Sequence, residues 1–205
     1  FGRPMQSWKS NMPNGMCLKS DGFASSLYDP DGAFTFRHYC SETNQPYADV
    51  GIPVRLETFT AYGLEFQKRM VPNLEQVDLT SIKSAAQGFE VTTEAGEQFL
   101  ARRVVIAAGI THFGWLPPEL ATLPREFATH SSAYGDLSPF KGWKVAVIGA
   151  GASAIDIVAI LREIGADPEI VTRAHSIAFH DRPSEPRPLF ERVMKPRSGL
   201  GLGWH

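Results

Sequence analysis

Two glycines, Gly149 and Gly151, directly follow a short apolar stretch, and this spacing could serve nucleotide chemistry. The apolar residues 145–148 predict a buried parallel strand, and the two glycines predict a sharp turn at its end. Apolar residues then continue at helical spacing over 152–164, and Gly165 suits a C-terminal cap. The pattern therefore predicts a strand, a tight turn and a helix in succession.

A second apolar stretch over 168–172 predicts the next strand, and the resulting strand–turn–helix–strand order is typical of dinucleotide-binding units. Backbone N–H groups at the start of such a helix bind a pyrophosphate, and the helix dipole favours its negative charge. Ala154 takes the third glycine position, an accepted variant. Ser153 either binds the pyrophosphate or caps the helix. We predict a phosphate site, with a purely structural turn as the alternative, at Gly149, Gly151, Ala152, Ser153 and Ala154.

The residue after the second strand determines which ribose the site prefers. An NAD site usually has an acid there to bind the ribose 2′-hydroxyl, but this chain has Arg173 and no acid. A guanidinium group can bind a 2′-phosphate through two hydrogen bonds. We therefore predict NADP rather than NAD, with a solvated surface arginine as the alternative.

The composition sets outer limits on the function. The chain has 205 residues, of which 43% are hydrophobic, so it can bury a substantial core. A net charge of −2 gives no sign of a nucleic-acid partner, and no apolar stretch reaches membrane-spanning length. Cys17 and Cys40 are far apart, so they form no C-x-x-C pair, and two free thiols fit a reducing cytoplasm. Because the sequence starts at Phe1 and stops in a glycine-rich stretch, we expect a fragment of a longer protein.

The residues before the glycine unit predict a mixed set of elements. Residues 1–30 predict an ordered loop region with short helical turns, and the prolines over 183–196 predict an irregular segment. Lys19, Arg37 and Arg55 are expected to be solvated. The predicted elements are a helix from Pro53 to Met70, antiparallel strands over 75–82, 89–93 and 98–100, and a continuous apolar strand from Arg103 to Gly109.

Several motifs, in this order along the chain, resemble the flavin monooxygenases that bind two dinucleotides. The stretch from His130 to Tyr134 is similar to the H-S-x-x-Y segment that leads into the family's G-x-G-x-S-A NADPH site. The stretch from Val104 to Gly109 looks like the strand that ends in A-T-G beside the flavin. Trp8 and the loop from Met12 to Gly15 resemble the family's G-G-x-W stretch and its proline–glycine loop.

The resemblance implies an α/β fold with two Rossmann-like dinucleotide-binding domains, three-layered with a parallel sheet and an antiparallel β-meander, both incomplete here. Residues 1–115 would be the remainder of an FAD domain, and 116–205 the hinge and the start of an NADP domain. The family's first glycine motif would precede Phe1. The implied cofactors are FAD and NADP, and the implied cofactor-binding residues outside the glycine turn are Trp8, Met12, Leu79, Ala108, Gly109 and His130.

The family's chemistry needs neither a side-chain nucleophile nor a metal, so we predict no catalytic residue of either kind. In this family NADPH reduces FAD, and the reduced flavin reacts with oxygen to form a C4a-peroxyflavin. For Trp8, Leu79, Gly109 and His130, a plain structural role remains the alternative. His130 and its neighbours are expected to line the hinge between the domains.

Departures from the family pattern narrow the reaction. The fingerprint of the Baeyer–Villiger enzymes needs a Phe and a Gly before His130, where this chain has Pro124 and Glu126. We therefore expect oxygenation of a small molecule at nitrogen or sulfur, with that molecule and oxygen as partners. The alternatives are a non-oxygenating pyridine-nucleotide flavoprotein oxidoreductase and a non-catalytic NADP-binding module. The sequence leaves the oligomeric state, including a homo-oligomer, open.

Overall fold

Five helices and five strands make up the part of the chain that the computed structural model describes, which is residues 1–173, 175–177 and 190. The helices are α1 (Gln6–Ser10), α2 (Phe36–Glu42), α3 (Leu56–Met70), α4 (Pro118–Ala121) and α5 (Ala152–Glu163). The strands are β1 (Leu79–Ala85), β2 (Gly88–Thr93), β3 (Gln98–Ala101), β4 (Lys144–Ile148) and β5 (Asp167–Val171). Short 3₁₀ turns lie at Gly22–Ala24, Thr111–Phe113, Ser131–Ala133 and Ser138–Phe140.

The longest helix, α3, begins later than the sequence predicts. Its N-cap residue is Arg55, which has extended backbone angles, so Pro53 precedes the helix and does not open its first turn. Glu57 lies in the first turn and Lys68 and Arg69 lie in the last, which matches the sign of the helix dipole at both ends.

The first hydrophobic core is aromatic and surrounds Tyr62 of α3. Tyr62 is fully buried and packs against Phe34 and Phe36, with ring centroids 5.6 and 5.4 Å away. Its hydroxyl donates to the carbonyl oxygen of Phe34 at 3.0 Å and accepts from the N–H of Leu27 at 3.1 Å. Burial raises the pKa of Tyr62, which keeps this hydroxyl protonated as a donor. The residue thus joins α3 to the loop that precedes α2.

The antiparallel meander β1–β2–β3 is confirmed, although its first strand starts at Leu79 rather than at residue 75. Val91 of β2 is almost fully buried and pairs with Ile82 of β1 on one side and with Phe99 of β3 on the other. A turn links β2 to β3, in which the N–H of Glu97 donates to the Thr93 hydroxyl oxygen at 3.1 Å.

The predicted strand–helix–strand unit is confirmed as β4, α5 and β5, with the two strands parallel. Ile148 pairs with Val171 at the carboxyl ends of both strands. Gly165 follows the helix at φ 87°, a left-handed conformation that glycine adopts without strain. A second hydrophobic core forms beneath α5 from four buried residues, Leu137, Ile157, Leu161 and Ala166.

The sequence predicts a buried strand at β4, but the described part of the chain covers only one of its faces. Val145 and Val147 pack against the second core, whereas Ala146 and Ile148 point to the other face and are exposed. Ile148 keeps 59% of its surface accessible. The reason is that no described element covers this second face of the sheet.

The predicted apolar strand from Arg103 to Gly109 is wrong, because residues 103–109 form no strand in the structure. Val105 and Ile106 are 89% and 78% exposed. A strand needs a neighbour to accept its backbone hydrogen bonds, and no described strand lies beside this segment. These apolar side chains therefore lie on the surface.

The remaining predictions concern the amino-terminal region and the proline-rich segment. Residues 1–30 are a loop region with short helical turns, as predicted, whereas helix α2 is not predicted by the sequence. Thr35 caps α2, since its hydroxyl oxygen accepts the N–H of His38. The predicted irregular segment 183–196 lies outside the described residues, apart from residue 190.

Among the described helices, none is both long and apolar enough to cross a membrane.

The substitution Tyr62→Phe tests the aromatic core. It leaves the N–H of Leu27 and the carbonyl of Phe34 without their partner, so we expect it to lower the free energy of unfolding by about 1–3 kcal/mol. Tyr28 is 88% exposed, and Tyr28→Phe should change the same quantity by less than about 0.5 kcal/mol. Urea denaturation of both variants measures the difference. Equal values for the two variants would contradict the buried hydrogen bonds.

Candidate nucleotide-binding site

The glycine turn lies at the carboxyl end of β4 and brings α5 back over the sheet. Gly149 has φ 139°, which L side chains rarely adopt, so the turn requires glycine at this position. Its N–H donates to the carbonyl oxygen of Val171 at 3.0 Å, which joins the turn to the end of β5. A Cβ atom on Gly149 would lie 3.6 Å from the Cβ of Ala154, so the third glycine position tolerates alanine here.

The start of α5 presents free hydrogen-bond donors. Gly151 is the N-cap residue, and its carbonyl oxygen accepts from the N–H groups of Ala154 and Ile155 at 3.0 and 3.2 Å. The N–H groups of Ala152 and Ser153 have no acceptor within the described chain, and no side chain caps this end. Both residues are exposed. Two backbone donors and the positive end of a 12-residue helix therefore face outward, as anion binding requires.

Gly151 is not required by the fold itself. It has φ −80°, which any residue can adopt, and a Cβ atom added to it would meet no described atom within 4 Å. The space beside its backbone is open. A phosphate can therefore approach the turn at the position where a side chain would otherwise stand.

Arg173 lies two residues after the end of β5, on the same edge of the sheet as the glycine turn. Its side chain is exposed, and no acidic partner for it is found among the described residues. The pairing of Ile148 with Val171 brings the two strand ends together, so Arg173 and the glycine turn follow neighbouring strand ends at one edge of the sheet. This arrangement supports the predicted 2′-phosphate role, which stays a prediction.

Trp8 and Met12 lie together near the amino end of the chain. Trp8 is in α1 and packs on Phe59 of α3, with ring centroids 4.8 Å apart, as part of the edge of the aromatic core. Met12 is half-buried and precedes the buried Pro13. The packing of Trp8 gives weight to the structural alternative, and flavin contact by either residue stays a prediction.

Leu79, Ala108 and Gly109 are not brought into one cluster by described contacts. Leu79 begins β1 and pairs with Thr93 across the meander. Ala108 and Gly109 are exposed, and Gly109 has φ 71°. No hydrogen bond ties either of them to the rest of the described chain. Their exposed backbone is accessible to a ligand, but no other described residue faces it to complete a binding site.

His130 holds a turn. Its Nδ1 atom accepts the N–H of Ser132 at 3.2 Å and lies 2.8 Å from the Ser132 hydroxyl, so it acts as the N-cap of the 3₁₀ turn. A Cβ atom on Gly114 would lie 3.2 Å from the same Nδ1. His130 therefore has the structural role that was one of its two alternatives, and a cofactor contact through the rest of the ring stays a prediction.

Two of the residues that the sequence predicts to be solvated, Lys19 and Arg37, form ion pairs in the structure. The Lys19 ammonium pairs with the carboxylate of Asp156 on α5, and Arg37 pairs with Asp49, 12 positions further along the chain. Tyr47 and Arg37 both donate to Asp49 and lower the pKa of that carboxyl. Lys19 and Asp156 are 137 positions apart, so no local signal in the sequence could reveal their pair.

Comparison with known proteins places this site in a family. The sequence profile described as "Pyridine nucleotide-disulphide oxidoreductase" matches residues 62–195, which is well over half of the chain and includes the whole glycine turn. The chain belongs to the pyridine nucleotide-disulphide oxidoreductase family. The predicted α/β fold is thereby confirmed, and the family is one of flavin-dependent pyridine-nucleotide oxidoreductases.

Two relatives and one solved structure illustrate the similarity. A ferredoxin–NADP reductase from Symbiobacterium thermophilum is 31% identical over 99 residues, which are 45% of this chain and 28% of that protein. Ferredoxin–NADP reductase 2 from Shouchella clausii is 30% identical over 129 residues, 62% of this chain and 38% of that protein. A solved mutant flavin monooxygenase from Stenotrophomonas maltophilia has a TM-score of 0.67 and 24% identity, covering 92% of this chain and 52% of its own.

These relatives are longer than this chain, which spans about a third of the matched reductases and about half of the solved monooxygenase. The family and these relatives imply FAD and NADP(H) as cofactors, in agreement with the sequence prediction. The residues at the glycine turn fit a pyrophosphate, because they combine free N–H groups, a helix start and open space. The predicted flavin-side residues offer an exposed backbone but no phosphate anchor of their own.

Arg173→Ala tests the preference for NADP. If the guanidinium binds the 2′-phosphate, its loss should weaken NADPH binding about 10- to 100-fold and change NADH binding by less than about two-fold. Arg103 is also exposed, and Arg103→Ala serves as the matched control. Fluorescence titration of the full-length protein measures both affinities. An equal loss for the two nucleotides would contradict the assignment.

Gly151→Val tests the phosphate site. Since the added side chain meets open space, the variant should fold with unchanged thermal stability, yet its side chain should block the pyrophosphate and weaken NADPH binding at least about 100-fold. Gly149→Ala is the converse control, since the positive φ should make it unstable. Calorimetric titration with melting curves separates the two effects. A folded Gly151→Val protein with normal nucleotide affinity would refute the site.

Proposed function

We propose that this chain provides the NADP-binding turn and part of the flavin-binding region of an FAD- and NADPH-dependent monooxygenase that oxygenates a small molecule at nitrogen or sulfur. The observation that carries the nucleotide half of this proposal is the exposed pair of unpaired N–H groups at Ala152 and Ser153. Arg173 on the same edge supports NADP over NAD.

The thiols of the chain argue against a disulfide-reducing role for these residues. Cys17 and Cys40 are both free, and Cys40 is fully buried in the aromatic core. Burial raises the pKa of Cys40, so its reactive thiolate form is disfavoured. A redox-active cysteine pair needs an accessible thiolate, which the burial of Cys40 disfavours.

The motif order supports the oxygenating reaction. The H-S-x-x-Y segment and the following G-x-G-x-S-A turn resemble the flavin monooxygenases, and the fold matches a solved flavin monooxygenase over 92% of this chain. That match establishes the fold alone. The oxygenating activity therefore rests on the motifs.

A bound FAD would supply the redox chemistry, taking two electrons from NADPH and using them to place one oxygen atom on the substrate and release the other as water. The residues of this chain would bind and orient the nicotinamide nucleotide. Ala152 and Ser153 would hold the pyrophosphate through their N–H groups, and Arg173 would hold the 2′-phosphate. His130 would shape the connection between the two nucleotide sites through its bonds to Ser132.

A second candidate is a reductase that passes electrons from NADPH through flavin to a protein acceptor without oxygenation. It is favoured by the curated relatives, which are named ferredoxin–NADP reductases and are 30–33% identical to this chain. The glycine turn serves both candidates equally, since both bind NADP. Only the fate of the flavin's electrons distinguishes them.

The fate of those electrons can be measured directly. NADPH should bleach the yellow flavin of the full-length protein, and air should restore it. With methyl phenyl sulfide or N,N-dimethylaniline present under ¹⁸O₂, the monooxygenase should form a product carrying one ¹⁸O atom. Gly151→Val is the control, since NADPH should not bleach it while dithionite still does.

Bleaching followed by electron transfer to ferredoxin, with no labelled product from either probe, would favour the reductase. A full-length protein that cannot be loaded with FAD would contradict both candidates.

A further inference from the structure

Residues 9–19, which we term the latch segment, connect the amino-terminal part of the chain to the nucleotide-binding unit. The Asn11 side chain donates to the carbonyl oxygen of Ser132 at 2.8 Å. The N–H of Asn14 donates to the carbonyl oxygen of Gly135 at 2.9 Å. Both acceptors lie in the stretch that links the predicted flavin side to β4, so the latch segment holds this connection at two points.

Gly135 allows the two segments to approach closely. A Cβ atom at this position would lie 3.0 Å from the carbonyl oxygen of Ser10 and 3.2 Å from that of Lys9. These are backbone atoms, which cannot rotate away as a side chain can. The close backbone contact, together with the two hydrogen bonds, makes this a defined interface rather than a chance crossing of loops.

The same segment also reaches α5 through an ion pair. The Lys19 ammonium contacts the carboxylate of Asp156, whose side chain is only 25% exposed. Asp156 lies three residues after Ser153, which corresponds to about 4.5 Å along the helix axis and to the same face. The carboxylate is therefore about one turn from the predicted pyrophosphate contact, and Lys19 compensates its negative charge.

We propose that Lys19 is a positioning residue: its pair with Asp156 fixes α5, and thus the bound nicotinamide nucleotide, against the latch segment, which directly follows Trp8 and includes Met12. The inference rests on the proposed function, because positioning matters for rate only if NADPH reduces a flavin held on that side. The Lys19–Asp156 contact would couple the two nucleotide sites. Lys9, on the same segment, has no ion partner among the described residues and supplies a matched control.

The first test is stopped-flow reduction of the FAD-loaded, full-length protein by saturating NADPH. Lys19→Met and Asp156→Asn should each lower the limiting reduction rate about five-fold. The double variant should be no slower than either single variant, because all three lose the same contact. Lys9→Met should leave the rate unchanged. Rates that match Lys9→Met, or losses that multiply in the double variant, would overturn the proposal.

The second test needs no cofactor. In Lys19→Met the latch segment should loosen, so the Asn14 amide should exchange its hydrogen about five-fold faster than in the unmodified protein. Unchanged exchange would overturn the latch. If NADPH fails to reduce the unmodified protein, the proposed function is contradicted, while the exchange result still decides whether Lys19 holds the two segments together.

Discussion

The unpaired N–H groups at the start of α5 are the feature on which the functional account depends. They are exposed because Gly149 turns the chain at φ 139° and because Gly151 caps the helix without a side chain. Strands β4 and β5 both end at this turn, where the N–H of Gly149 donates to the carbonyl oxygen of Val171. The second core beneath α5, with Leu161 almost fully buried, holds the helix on the sheet and fixes the direction of these donors.

The rest of the described chain is organised around a separate aromatic core at Tyr62. The two cores lie on either side of the predicted boundary at residue 115, and the division into two domains stays a prediction. The contacts of Asn11 and Asn14 with the stretch before β4 bridge the two parts. A two-nucleotide enzyme needs such a bridge, because hydride transfer depends on the relative placement of two separately bound cofactors.

Elements with local signals are the ones the sequence predicts well. The glycine spacing and apolar period of the β4–α5–β5 unit are local, and the structure confirms all three elements within one or two residues. The strand predicted over 103–109 is wrong for the opposite reason. A strand needs a neighbouring strand to pair with, and none lies beside this stretch among the described residues. The Lys19–Asp156 pair joins residues far apart in sequence, so neither residue type nor spacing could reveal it. Site roles such as that of Arg173 depend on a ligand and stay predictions.

The most direct test of the central claim is a crystal structure of the full-length protein with NADP⁺. The account predicts pyrophosphate oxygens within hydrogen-bond distance of the N–H groups of Ala152 and Ser153, and the 2′-phosphate beside Arg173. A pyrophosphate bound elsewhere, with these N–H groups facing only solvent, would contradict the assignment of this turn as the nucleotide site.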